Sequence, residues 1–482
     1  MSAMAHAIGP GSEIDGFRLG EMIHVGSMAS IYRLTGPQGP LPLIMKIPRL
    51  GPGERAVNVI GFEVCRMVLG ALAQGPHHPT LVAYGDVETT PYLVMEHVEG
   101  VRLSEWVGRA PLPSQEIVRL GSALALALDD LHRQDVVHLD LKPTNVLYRA
   151  SGEVVLVDFG LAHHSHYPDL LAEELRFPVG NWVYMSPEQA LGVRCDPRSD
   201  IYALGGLLYE LATGRLPFGR PRSVAELRKR LYRDPVPPRA IVPVTPGWLQ
   251  EIILRCLEVD ARERYATAEQ VAFDLANPSG VALSERGSRR RRARWWTLLR
   301  RRLRAARFEP APCPTPSSQP KAAQVVVVAL ALRQTDQALS AALLGATRRV
   351  IAADPDCRIA CVTVVPPSAA LSGEGDENTA TGRHIRRLVE LRRWAKPMEL
   401  TEERLTYHVL ESDKPALALT DYVKMNDVDQ ILIGASGSAA PARLFAGVCA
   451  QIVAEVPCSV TVVRPRAEAS EIDSEFPKRP LN

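Results

Sequence analysis

The chain has 482 residues, enough for two or three domains, and its 46% hydrophobic and 23% charged residues are typical of proteins with ordinary buried cores. The formal net charge of +2 argues neither for nor against a nucleic acid partner. The eight cysteines include no C-x-x-C pair and no His/Cys cluster with zinc spacing, so we expect scattered free thiols in a reducing compartment. No basic start followed by an apolar core marks a signal peptide, and the longest clear apolar run, residues 325–332, is too short to span a bilayer. We therefore expect a cytoplasmic protein without a transmembrane helix.

The first part of the chain alternates short apolar runs with polar turns. The runs predict strands at residues 17–19, 31–34, 43–47 and 92–95. Ser114 then opens a helix as its expected N-cap. The apolar residues of this helix recur every three or four positions and form one face, namely Ile117, Leu120, Leu124, Leu128 and Leu131. The helix leads into the most informative part of the sequence.

Two short polar stretches follow that helix, H-L-D-L-K-P-T-N at residues 138–145 and D-F-G at residues 158–160. The apolar run before D-F-G predicts a buried strand, so Asp158 is expected at a strand end that faces a cleft. Phosphoryl transfer from a metal-bound nucleotide needs groups of this kind, because it depends on positioning and charge neutralisation. A carboxylate must receive the acceptor proton, oxygen ligands must hold Mg2+, and a cation must face the transferred group.

This arrangement resembles the protein kinase superfamily, in which H-R-D-x-K-x-x-N is followed by D-F-G. The resemblance covers residues 14–277 and implies a bilobal α+β fold, ATP and Mg2+ as cofactors, and protein substrates. It implies that Asp140 deprotonates the acceptor hydroxyl and that Lys142 neutralises charge at the transferred group. It also implies that Asn145 and Asp158 hold Mg2+.

The same resemblance places the remaining ATP-binding groups. Gly26 is the surviving glycine of a poorly matched glycine-rich loop, and Lys46 corresponds to the lysine that grips the phosphates and pairs with a helix glutamate. Only Glu54 and Glu63 lie between Lys46 and His78, and we choose Glu63 because it lies in a helical run. Adenine is expected in front of Met95, bonded by backbone groups from Glu96 to Val98.

Three further residues have family counterparts with structural roles. Glu188, in Y-M-S-P-E, resembles the glutamate of A-P-E, and Arg264 is its expected partner. Asp200 is expected to cap a buried helix at residues 201–211 and to brace the catalytic-loop backbone.

The sequence also departs from the family pattern. Leu139 replaces the arginine that binds a phosphorylated activation loop, and residues 161–179 offer only Ser165 and Tyr167 as acceptors. We therefore expect activity without activation-loop phosphorylation, since a loop phosphate would lack its partner. Asn181 stands where serine/threonine kinases place a threonine, whereas Lys142 favours Ser/Thr acceptors. The alternative is a pseudokinase scaffold that binds nucleotide without phosphotransfer, which the eroded glycine loop supports.

A basic run with two tryptophans occupies residues 289–307, and a proline- and serine-rich linker follows at residues 309–321. A basic amphipathic helix here would bind an anionic membrane surface and place the protein at the periphery of the inner membrane. The alternative is a solvated linker, or a helix packed on a neighbouring domain. Nucleic acid binding has no fold-level support.

The last part of the chain alternates strands, at residues 325–330, 358–365, 430–433 and 459–463, with helices at 336–352 and 441–456. This alternation predicts an α/β domain with a doubly wound parallel sheet. Gly434, Gly437 and Gly447 resemble the G-x-x-G-x9-G-[ST] motif of the universal stress protein family, which implies a second nucleotide site. Val448 replaces the hydroxyl residue, and Ala331 replaces the usual aspartate. A regulatory or homodimerising domain without nucleotide is therefore the alternative.

The sequence thus predicts a bacterial-type serine/threonine protein kinase joined to a universal stress protein-like domain. We expect the kinase domain at residues 14–280, with lobes at about 14–95 and 99–280. The basic and proline-rich linker covers 281–322, the second domain 323–466 and a tail 467–482.

Overall fold

The computed structural model describes two compact units, the first made up of the described residues before Ala323 and the second of most of those after it. The described residues are 8–26, 28–36, 41–49, 57–85, 90–167, 169–171, 178–291, 302, 305, 308–313, 324–332, 337–366, 380–400, 404–426, 428–435 and 442–465.

The first unit opens with an antiparallel sheet in the order β1-β2-β3-β4-β6-β5. Its strands are β1 Glu13–Ile14, β2 Phe17–Val25, β3 Ala29–Thr35, β4 Leu43–Pro48, β5 Leu81–Gly85 and β6 Tyr92–Glu96, with helix α1 Val57–Ala71 between β4 and β5. Met45 is fully buried among Leu19, Tyr32 and Val94 on one face of the sheet. Because side chains alternate along a strand, Lys46 points to the opposite face.

The rest of the first unit is mainly helical. Its elements are β7 Val101–Arg102, α2 Leu103–Val107, α3 Ser114–Arg133, β8 Val136–Val137, β9 Val146–Tyr148, β10 Val154–Leu156, β11 His163–His164, α4 Arg198–Thr213, α5 Val224–Leu227, α6 Pro238–Ile241, α7 Gly247–Cys256, α8 Ala268–Ala276 and α9 Glu285–Ser288. The predicted apolar face of α3 is buried. Ser114 is not the N-cap, because Pro113 occupies that position. Likewise, α4 begins at Arg198, so Asp200 lies in its first turn instead of capping it.

The expectation that all cysteines are free thiols is wrong for two of them. Cys195 and Cys313 form a disulfide across 118 positions of sequence. The other cysteines are free, and all but Cys458 are buried. The disulfide fixes the segment around Cys313, in which Ala311 is buried, to the segment that precedes α4.

The second unit is a parallel sheet in the order β14-β13-β12-β15-β16. Its elements are β12 Val325–Ala329, α10 Gln337–Ala353, β13 Arg358–Val365, β14 Leu405–Glu411, α12 Pro415–Met425, β15 Gln430–Gly434, α13 Ala442–Glu455 and β16 Ser459–Val463, with α11 Ala380–Ala395 belonging to it from Arg386 onward. The strand order reverses between β12 and β15, which confirms the predicted doubly wound fold. Strand β14, whose Thr406 and His408 are buried, was not predicted from the sequence.

Most of the basic run at 289–307 lies outside the described residues. Within the described residues, no helix combines the length and the apolar composition that crossing a membrane requires.

Candidate active site

Asp200 holds the backbone of the segment that carries Asp140. The carboxylate of Asp200 accepts the backbone N–H groups of His138 at 2.8 Å and Leu139 at 2.9 Å, and lies 3.0 Å from Nε2 of His132. Burial alone would raise the pKa of Asp200, but the bonds from these partners outweigh burial and keep it below the usual range. The predicted bracing role of Asp200 is confirmed. The bracing matters because Leu139 has a left-handed φ of 62°, which a leucine adopts only when its surroundings enforce it.

Asp140 lies at the centre of a polar cluster and is 6% exposed. Its Oδ2 accepts Nζ of Lys142 at 2.5 Å and Nδ2 of Asn145 at 3.2 Å. Its Oδ1 accepts the backbone N–H of Asn181 at 3.2 Å. The structure therefore brings three predicted site residues together, and it shows that Asn181 contributes through its backbone.

Lys46 and Asp158 come together from positions 112 residues apart. Nζ of Lys46 lies 2.6 Å from Oδ1 of Asp158, and the two side chains are 17% and 39% exposed. The ammonium holds the pKa of Asp158 well below its usual range. Burial alone would lower the pKa of Lys46, but the carboxylate of Asp158 outweighs burial and raises it. Both groups are therefore charged at neutral pH.

The predicted pairing of Lys46 with Glu63 is wrong. The carboxylate of Glu63 accepts Nη2 of Arg66 at 3.1 Å and Nε at 3.3 Å, whereas Lys46 is bound to Asp158. Glu63 and Arg66 are about one turn apart on α1, a spacing that favours a local ion pair.

The α1 residue beside Lys46 is Cys65. This thiol is 1% exposed, and burial raises its pKa while the ammonium of Lys46 and the backbone N–H of Phe159 act in the opposite direction. Gly61, four positions earlier, lies on the same helix face, where a Cβ would be 3.2 Å from the carbonyl oxygen of Gly160. The sequence contained a signal for this contact, because the small residues Gly61 and Cys65 lie on one face of α1 and allow that face to approach D-F-G closely.

The residues expected around adenine lie at the end of β6. The N–H of Glu96 donates to the carbonyl of Thr80 at 2.9 Å, and its carboxylate binds Arg149 at 2.6 Å. Among the described residues, the N–H of Val98 donates to no backbone carbonyl and so can serve a ligand. The side chains of Met95 and Val98 are buried.

Gly26 makes a tight turn. Its N–H donates to the carbonyl of Ala29 at 2.9 Å and closes the hairpin between β2 and β3. Ser27, the next residue of the expected phosphate loop, lies outside the described residues.

The predicted pair of Glu188 and Arg264 is confirmed. Nη1 and Nη2 of Arg264 lie 2.6 and 2.8 Å from the two carboxylate oxygens, and the side chains are 0% and 3% exposed. Oγ of Ser199 donates to Glu188 at 2.7 Å. Burial alone would raise the pKa of Glu188, but Arg264 outweighs burial and keeps it low.

The predicted second site is only partly described. Gly434 ends β15, and a Cβ there would lie 3.1 Å from the side chains of Leu339 and Leu343 of α10. Glycine at this position is therefore explained by helix packing on the sheet. Gly437 lies outside the described residues, Gly447 is described only as part of α13, and Val448 packs against the core of the second unit.

Comparison with known proteins supports the two halves separately. The family model described as protein kinase domain matches residues 70–274, and the model for the universal stress protein family matches residues 323–464. The serine/threonine-protein kinase Pkn1 of Myxococcus xanthus is 36% identical over 56% of this chain and 38% of its own length. The serine/threonine-protein kinase PknB of Mycobacterium tuberculosis is 30% identical over 54% of this chain and 42% of its own length.

The chain thus spans about two fifths of the length of these curated relatives. The crystal structure of the PknI kinase domain of Mycobacterium tuberculosis aligns with a TM-score of 0.43 at 21% identity, covering 56% of this chain and 99% of that one. The two family models cover different parts of the sequence and agree with the two units of the structure. The chain carries a protein kinase domain, similar to those of bacterial serine/threonine kinases, followed by a domain of the universal stress protein family.

Proposed function

We propose that the chain is a serine/threonine protein kinase that transfers the γ-phosphate of ATP to protein hydroxyl groups, with its kinase domain at residues 14–280. The observation that carries this proposal is the convergence of one short segment, which holds Asp140, Lys142 and Asn145, with Lys46 of β4 and with Asp158 after β10. The charge of Lys142 also helps to lower the pKa of Asp158, which links the two groups. Phosphoryl transfer requires this set of a base, cations and oxygen ligands.

The residues fit MgATP. Nδ2 of Asn145 donates to the backbone carbonyl and the carboxylate of Asp140. Its amide oxygen accepts one long bond from Oγ1 of Thr144 at 3.5 Å and keeps a lone pair for a hard cation. Asp158 is ionised and 39% exposed, as a carboxylate that binds Mg2+ requires. When bound, Mg2+ neutralises the charge that develops on the phosphate oxygens.

The chain's own side chains divide the remaining work. Asp140 orients the acceptor hydroxyl and takes its proton. Lys142 lies 2.5 Å from Asp140 and places a positive charge beside the hydroxyl and the transferred group. Lys46 leaves Asp158 to bind the phosphates, while Val98 supplies its N–H to the base. Glu63 has no part in this scheme, because it is paired with Arg66.

The preference for serine and threonine rests on Lys142. The test is phosphate transfer from γ-labelled ATP to matched peptides that differ only in Ser, Thr or Tyr as the acceptor. We expect transfer to Ser and Thr, and loss of transfer in Asp140→Asn and Lys46→Met. Binding of ATP without transfer by the wild type would establish the pseudokinase alternative instead.

For the second domain we propose a regulatory role, exercised through dimerisation and without a bound nucleotide. The packing of Gly434 against Leu339 and Leu343 supports this, since the side expected to admit phosphate holds leucine side chains. Analytical ultracentrifugation of the full chain tests dimerisation. Equilibrium binding of labelled ATP to Asp158→Ala, which lacks a proposed metal ligand of the kinase domain, tests whether the second domain binds nucleotide. A monomer, or one ATP retained with micromolar affinity, would contradict it.

For the basic run at 289–307 we propose attachment to an anionic membrane surface, which would place the chain at the membrane periphery. Several arginines near the surface would each contribute about 1 kcal/mol. Co-sedimentation with phosphatidylglycerol vesicles, compared with phosphatidylcholine vesicles, tests this. Equal partitioning to both would favour a plain linker.

A further inference from the structure

Arg194 is a buried cation that the mechanism does not use. Its side chain is 7% exposed, and its Nε lies 2.6 Å from Oδ2 of Asp169. Its Nη2 donates to the backbone carbonyls of Leu161 at 3.0 Å and Ala162 at 3.3 Å. One guanidinium therefore ties the residues just after D-F-G to Asp169, further along the same segment.

Asp169, the partner of Arg194, is also buried and bonded on both carboxylate oxygens. Its side chain is 11% exposed, Oδ1 accepts the backbone N–H of Leu171 at 3.0 Å, and Nδ1 of His163 lies 3.8 Å from Oδ2. Burial alone would raise the pKa of Asp169, but Arg194 and His163 outweigh burial and keep it low. The carboxylate is ionised at neutral pH, and Leu171 beside it is fully buried.

The same network reaches the base. A Cβ on Gly180 would lie 3.0 Å from Cδ1 of Leu161, so Gly180 packs directly on the residue whose carbonyl Arg194 holds. The next residue, Asn181, donates its N–H to Asp140 at 3.2 Å. A displacement of Leu161 would therefore be transmitted to the contact between Asn181 and Asp140.

The position at which the family carries its phosphate-binding arginine holds no cation in this chain. Leu139 is 6% exposed and has no charge to offer an anion. Tyr167 is buried against the ring of His164 at a centroid distance of 4.7 Å, so its hydroxyl would have to leave the core to be modified. Ser165 is exposed.

We propose that Asp169 and Arg194 act as a positioning pair that holds Leu161, Ala162 and Leu171 of the activation segment in place without phosphorylation, with the Asp169 carboxylate as the anion that Arg194 binds. This inference rests on the proposed kinase function and deepens it. If the pair works in this way, the unphosphorylated protein is already in its active state. Removing the carboxylate lowers the rate of transfer without weakening ATP binding, because Lys46 and Val98 are untouched.

The test compares Asp169→Asn and Arg194→Met with Arg198→Met. Arg198 makes the same kind of pair, with Nη2 at 2.8 Å and Nε at 2.9 Å from Asp196. Among the described residues, its side chain forms no hydrogen bond or ion pair with residues 161–171. We expect both pair variants to lower kcat per folded molecule by about 10- to 100-fold, the size of effect that a displaced catalytic contact produces. Binding of a non-hydrolysable ATP analogue should stay within about twofold, and Asp169→Glu, which keeps the charge, should restore most of the rate.

A role limited to stability predicts that Arg194→Met and Arg198→Met lower the melting temperature alike and leave kcat per folded molecule unchanged, and that outcome overturns the inference. Amide hydrogen exchange at residues 178–185 provides a readout independent of catalysis. We expect faster exchange in Asp169→Asn than in Arg198→Met, and equal exchange would also overturn the inference. An inactive wild type with these exchange differences intact would refute the kinase function and leave the pair standing.

Discussion

The buried pair of Arg264 and Glu188 gives the sharpest test of the fold around the site. Replacing Arg264 with alanine removes both bonds to Glu188 and three further bonds, to the carbonyls of Arg198, Glu258 and Val259. The Glu188 carboxylate is left 3% exposed without its cation. Breaking such a pair costs about 3–5 kcal/mol. This is a large part of the roughly 5–15 kcal/mol that stabilises a typical domain.

Arg262 supplies the matched control. It lies two positions away and binds Asp260 at 2.7 Å, but the two side chains are 65% and 30% exposed. Arg262→Ala should therefore cost no more than about 1 kcal/mol. Urea denaturation of the kinase transition measures both, and the expected difference corresponds to a shift in melting temperature of roughly 10 °C. Equal effects of the two substitutions, or a cost below about 1 kcal/mol for Arg264→Ala, would refute the reasoning.

The same pair predicts a pH dependence. The pKa of Glu188 is held below its ordinary value of 4.5, so the folded state binds fewer protons at this group than the unfolded state does. Its stabilising effect is full above that value and is lost as the pH falls through the lower pKa of the folded state. The difference in free energy of unfolding between wild type and Glu188→Gln should therefore shrink with acidification below pH 4.5. A constant difference would contradict the assignment.

Three other predictions concern individual contacts. Glu63→Gln should change kcat/KM by less than about threefold, whereas Lys46→Met should lower it by at least about 100-fold. If both variants lost activity to a similar extent, the predicted pairing of Lys46 with Glu63 would be supported after all. The double variant Ser165→Ala, Tyr167→Phe should keep at least about half of the wild-type rate, since no basic group awaits a phosphate at Leu139; collapse of activity would show that loop phosphorylation is required. Under oxidising conditions, Cys313→Ser should lower the free energy of unfolding of the kinase domain by about 2–4 kcal/mol relative to wild type. Under reducing conditions, the variant and the wild type should be equally stable.

The polar groups of the site were predictable because they lie at fixed offsets in two short motifs. Asp140, Lys142 and Asn145 are within six positions of one another, so one turn, braced by Asp200, brings them together. The roles of Asp200 and Glu188 were predicted from the resemblance to the protein kinase superfamily, and each carboxylate is bonded to its expected partner.

The residues that were predicted wrongly depend on geometry that short motifs do not contain. Which residue of α1 faces Lys46 is set by the rotational phase of the helix, and a shift of two positions replaces Glu63 by Cys65. The disulfide joins residues 118 positions apart, and no spacing rule indicates it. Strand β14 was missed because the hydroxyl of Tyr422 and Oγ1 of Thr406 satisfy His408 at 3.0 and 3.1 Å, which allows polar residues in a buried strand.

The central claim is that Asp140 acts as the base at a working phosphotransfer centre. The most direct measurement is the single-turnover rate of transfer from saturating MgATP in wild type and Asp140→Asn, with ATP affinity determined for both. The account predicts equal affinities and a rate at least about 100-fold lower in the variant, the range for losing a general base. Equal rates in the two proteins, or no transfer by the wild type despite full ATP binding, would contradict it.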